Sequence, residues 1–64
     1  MANELTLEEV LKTAIAKEIT AQQLYADLAK RVTNQIARET FQDIVRQERG
    51  HQLLLERYQR GELK

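Results

Sequence analysis

Phe41-Gln42-Asp43-Ile44-Val45-Arg46-Gln47-Glu48-Arg49-Gly50-His51-Gln52-Leu53-Leu54 carries apolar residues at helical spacing, with two conspicuous gaps. Followed in both directions, the stripe runs Ala37, Phe41, Ile44, position 48, position 51, Leu55 and Tyr58, in alternating steps of four and three. That stepping marks one face of a helix. The gaps are Glu48 and His51. An upstream segment steps the same way through Leu7, Leu11, Ala14, position 18, Ala21, Tyr25, Leu28 and Val32, and its gap is Glu18. All three interruptions are ionisable, and all three are metal-ligand types.

The flanking residues predict where the helices begin and end. Thr6, Leu7, Glu8 and Glu9 form a capping-box pattern, with Thr6 as the cap and Glu9 reaching back. Thr33 and Asn34 break the periodicity, and either can accept from the free amides of a new helix. Gly61 is a natural stop. The reading is one domain over 1–64: helix 1 about 7–32, a turn about 33–35, and helix 2 about 36–60. A turn that short folds the helices back antiparallel.

Composition agrees with an all-α chain. There is no Pro, no Cys and only two Gly among 64 residues, with 31% charged. Below roughly 70–80 residues one chain seldom buries enough apolar surface to be stable alone, so metal or self-association is expected. The apolar residues say the same. Val10, Ile15, Ile19, Leu24, Val45, Leu53 and Leu54 widen the stripe beyond what two helices cover for each other. Docking of two hairpins into a four-helix bundle, crossing at roughly 20°, would cover it. The expected partner is a second copy of the chain, in a homodimer or a larger oligomer.

Burying a lone carboxylate costs several kcal/mol unless something compensates. Glu18 lies about 16 residues before the turn, and Glu48 and His51 straddle the same distance after it. All three are therefore roughly 23 Å from the turn, at one height near the middle of each helix. A two-fold axis at that height collects four Glu and two His. One Glu from each of two helices, with Glu-x-x-His from each of the other two, is the ligand arrangement of dinuclear carboxylate bundles. Two divalent ions would cancel its formal charge of about −4, and mixed oxygen and imidazole donors suit Fe, Mn or Zn. The expected metal ligands are Glu18, Glu48 and His51, holding two iron ions per dimer, with Mn or Zn possible.

With these residues in place, the chain resembles the rubrerythrin-like members of the ferritin-like superfamily. Residues 16–29, from Ala16 through Glu18, Ala21, Leu24, Tyr25 and Leu28 to Ala29, resemble that family's first helix, and Phe41–Leu54 resembles its second. The resemblance implies a ferritin-like four-helix bundle, metal ligation by Glu18, Glu48 and His51, and a hydrogen bond from Tyr25 to a ligand carboxylate. Classical members carry a second helix pair with its own Glu and Glu-x-x-His, and rubrerythrins often a Cys-rich rubredoxin domain; neither is present here. Encapsulated ferritins are similar in using half a bundle per chain and completing the iron site between subunits. Their C-terminal shell-targeting peptide has no counterpart in Gly61-Glu62-Leu63-Lys64, so encapsulation has no support there.

The expected chemistry is oxidation of Fe(II) by O2 or peroxide at the paired site, a ferroxidase-like or rubrerythrin-like activity. His51 should ligate through one nitrogen and donate the other N–H to an acceptor, for which Gln47 is a candidate. Gly50, costly inside a helix, is open to three readings: close approach of another helix, a local bulge beside His51, or an unconstrained surface position. The other class of function is a structural or adaptor hairpin in which Glu18 and His51 form a polar layer that fixes register. Ten basic residues offset ten acidic ones, which does not favour nucleic acid. Arg38, Arg46, Arg49, Arg57 and Arg60 read as a solvated face shared with Glu39 and Glu56. There is no signal peptide and no membrane span, so a cytoplasmic protein is expected.

Overall fold

A computed structural model describes residues 4–62. The outer ends of the 1–64 unit, including most of the N-terminal Met1-Ala2-Asn3-Glu4-Leu5 stretch and the last two residues of Gly61–Lys64, lie outside them. The chain forms α1, Leu7–Arg31, and α2, Gln35–Gln59, joined by residues 32–34. The short link returns α2 along α1 as a hairpin.

Local chemistry sets each boundary. Thr6 Oγ1 accepts from the Glu9 amide at 3.1 Å, and the Glu9 carboxylate accepts from the Thr6 amide at 3.3 Å, closing the capping box. Glu8 and Glu9 in the first turn, and Lys30 and Arg31 in the last, complement the α1 dipole. Val32 ends α1 in an extended conformation, with its amide still donating to the Leu28 carbonyl. Asn34, not Thr33, caps α2, its Oδ1 accepting from the Ala37 amide at 2.9 Å. Gln35 is consequently already helical, one residue before the expected start.

The far end closes on Gly61, whose φ of 79° lies in the left-handed region that glycine adopts without strain. Its amide donates to the Tyr58 carbonyl, and the Glu62 amide donates to the Arg57 carbonyl. These are the two bonds of a Schellman stop. Arg60 hydrogen-bonds Glu62 at 2.8 Å and holds that carboxyl below its ordinary range.

Packing between the helices is thin. The molecule is 11 Å in its least dimension, about one helix layer. Among the described residues only Leu11 and Ala29 are buried, while Leu24, Leu53, Leu54 and Tyr58 are 46–52% exposed. Tyr25 stacks on Phe41 across the seam, ring centroids 5.9 Å apart. A rotation of about 100° per residue sorts the other seam residues onto two sides. Val10, Leu24, His51, Leu54 and Tyr58 fall on one; Ile15, Ile19, Gln22, Val45, Gln52 and Glu56 fall on the other. Among the described residues no helix is long and apolar enough to cross a membrane.

Candidate metal centre

Glu18 projects from the middle of α1 toward the seam, and Glu48 and His51 project from facing turns of α2. Spacing of three along α2 puts the second carboxylate and the imidazole on one face of that helix. The antiparallel return brings Glu18 to their level. His51 Nδ1 lies 2.9 Å from Glu18 Oε2 and 3.2 Å from Glu48 Oε1. One donor atom from each residue falls within 4.8 Å of the others.

These separations can be tested against coordination chemistry. Two donors about 2.1 Å from one ion at right angles lie about 3.0 Å apart, close to both His51 contacts. A cation can thus take the place of the proton that Nδ1 otherwise donates to Glu18. The donor set is also right in kind, since two carboxylates and a neutral imidazole match one divalent charge. No Lys or Arg pairs with Glu18 or Glu48 among the described residues, whose ion pairs leave His51 as their one basic neighbour. The residues fit a metal.

Exposure shows which way the group opens. The Glu18 and Glu48 side chains are only 18% and 22% exposed, whereas that of His51 is 63% exposed. The imidazole stands on the apolar side that carries Val10, Leu24, Leu54 and Tyr58. Three residues from one chain would not by themselves fill the five or six positions that iron ordinarily takes.

Tyr25 and Gln47 play no part in the group within one chain. The Tyr25 ring packs on Phe41, and among the described residues its hydroxyl makes no hydrogen bond to Glu18 or Glu48. Gln47 makes none to His51, whose hydrogen-bonding partner is Glu18. Gly50 lies in unbroken α-helix, so no bulge accompanies it, and a Cβ built there meets nothing within 4 Å.

One polar feature escaped the sequence reading. Gln22 Nε2 donates to Gln52 Oε1 at 2.7 Å, and Gln52 Nε2 donates to Glu56 Oε2 at 3.0 Å. Gln22 follows Glu18 by four residues and Gln52 follows Glu48 by four on helices of opposite direction, so this chain crosses the seam diagonally, on the side away from His51. The signal was present, as two polar residues at seam positions, but glutamine is too common on helices to stand out.

A family model described as Rubrerythrin matches residues 2–59. No curated protein and no solved structure matches the chain.

Proposed function

The chain belongs to the rubrerythrin family, and from that premise we propose that two hairpins dock through their His51 sides to complete a dinuclear iron centre that oxidises Fe(II). The observation that carries this reading is the convergence of Glu18, Glu48 and His51 within 4.8 Å at mid-height, beside an uncovered side that carries the exposed Val10, Leu24, Leu54 and Tyr58. A polar group in that place is costly to bury unless cations compensate it. A partner copy would bring the same three residues to the same height, giving four carboxylates and two imidazoles.

Each residue then has a defined task. Glu18 and Glu48 would hold the ions through their carboxylate oxygens. His51 completes each ion's coordination and fixes the face toward the partner. Val10, Leu24 and Leu54, covered by the partner, exclude water and so strengthen the attraction between carboxylates and cations. A pair of iron ions bound there would supply two electrons to one oxidant. Reduction of O2 to H2O2, or of H2O2 to two waters, would draw one electron from each Fe(II) and take up two protons.

The test is anaerobic loading with Fe(II) followed by admission of air, with O2 uptake and visible absorbance recorded. Wild type should consume O2 in proportion to bound iron, and Glu48→Ala should bind no iron and consume none above the protein-free rate. Retention of two ions per dimer by Glu48→Ala would contradict the ligand assignment. Bound Fe(II) that leaves O2 untouched would make the protein a metal carrier.

One observation favours a second reading. The Glu18–His51 hydrogen bond at 2.9 Å forms without any ion, as a register-fixing polar layer in a structural hairpin would require. That reading expects no thermal shift on adding Fe(II), Mn(II) or Zn(II), whereas a metal centre expects a large one.

A further inference from the structure

The side of the hairpin opposite His51 carries charge for which the proposed metal-bound dimer has no use. Arg38 and Glu56 are half-buried there beside the seam. Among the described residues neither forms an ion pair within the hairpin. Arg38 donates to the Val32 carbonyl at 3.2 Å, and Glu56 accepts from Gln52 at 3.0 Å. Those neutral partners leave Arg38 without a paired anion, and Glu56 with only the longer-range attraction of Arg60. By contrast, the neighbouring Arg46 and Arg60 are paired with Asp43 and Glu62.

The placement of these charges is symmetric. α2 runs from Gln35 to Gln59, so its midpoint is residue 47; Arg38 precedes the midpoint by nine residues and Glu56 follows it by nine. α1 runs from Leu7 to Arg31, so its midpoint is residue 19; Glu8 and Lys30 stand eleven residues to either side. The turn end of this side is therefore basic, where Ala26, Ala29, Lys30, Arg38 and Val45 line a shallow groove. Glu8 and Glu56 mark the open end. Between the ends lie Ile19, 38% exposed at the α1 midpoint, with half-buried Ile15 and Val45.

We infer that this side is a second docking surface, and that its occupant is another copy of the same chain. A two-fold axis through the midpoints, perpendicular to the helices, lays α1 on α1 and α2 on α2 in antiparallel fashion. It sets Arg38 over Glu56 of the second copy, Glu56 over Arg38, and Lys30 over Glu8. Ile19 meets its own copy on the axis, and Lys12 lies over Ala26, one turn from the paired Glu8 and Lys30. A two-fold axis along the helices would instead stack basic end on basic end, so charge selects the first arrangement. With a different two-fold interface on each side, dimers associate further into an even-numbered assembly. The inference rests on the proposed metal-site dimer, which occupies the His51 side.

Light-scattering mass and bound iron, measured together under argon on Fe(II)-loaded protein, test it. Wild type should exceed a dimer while holding two ions per dimer. Arg38→Glu should fall to the dimer mass at the same iron content, its association weakened by about tenfold or more. The exchange Arg38→Glu with Glu56→Arg should restore the larger mass, which a loss of folding could not do. Wild type that holds two ions per dimer but never exceeds a dimer overturns this inference alone, as does an Arg38→Glu mass equal to that of wild type. A monomer without iron overturns both readings.

Discussion

Glu18 and Glu48 are the residues on which the chemistry turns, because their side chains are mostly shielded by the helices while no Lys or Arg among the described residues pairs with them. They are stabilised in one chain by a single imidazole, a weak partner for two carboxylates. These three residues were legible in the sequence because each breaks an apolar stripe at a common height, and the structure brings them together. The Gln22–Gln52–Glu56 chain was not legible, since neutral amides at seam positions break no rule. Tyr25 is the residue whose expected role depends on what lies beyond one hairpin. Its ring is engaged by Phe41, so Tyr25→Phe keeps the stack and removes only the hydroxyl. If that hydroxyl supports a ligand carboxylate in the dimer, Tyr25→Phe should weaken iron binding by about tenfold with little change in melting temperature. Isothermal titration beside a thermal melt reads both, and unchanged affinity would reduce Tyr25 to packing.

At the scale of the element, each helix is bounded by side chains that answer for its unsatisfied backbone groups. Thr6 with Glu9, Asn34, and Gly61 with its two carbonyl acceptors account for three of the four ends. These were readable because caps have few chemical solutions. The α2 start was placed one residue late because Thr33 and Asn34 are both competent caps, and only the path of the chain decides between them. The interior of α2 contains one costly residue, Gly50. It faces away from α1, and open space surrounds the position of a Cβ. Gly50→Ala should therefore stabilise the protein by about 0.8–1.0 kcal/mol, the helix-propensity difference, with iron binding unchanged. Chemical denaturation provides the check. Destabilisation instead would show that another helix approaches Gly50 closely in the assembled protein.

The whole molecule is one layer thick, and it leaves many large apolar side chains exposed. Leu7 and Ile36, at 71% and 75% exposed, are the extreme cases of a pattern that runs the length of both helices. That a 64-residue chain of this kind needs a partner was legible from its length and from the width of its apolar stripes. What no stripe could reveal is how the two outer sides differ, because the difference lies in which charges stay unpaired once the hairpin has closed. His51 stands on one side at the height of the carboxylates, and Arg38 and Glu56 flank the other. The account makes folding, association and metal binding one linked equilibrium, so iron should raise stability and favour the dimer together. Native mass spectrometry of an anaerobic Fe(II) titration reads mass and stoichiometry in a single experiment. The account predicts dimers or multiples of dimers saturating at two iron ions per pair of chains; monomers, or dimers that take up no iron, would contradict it.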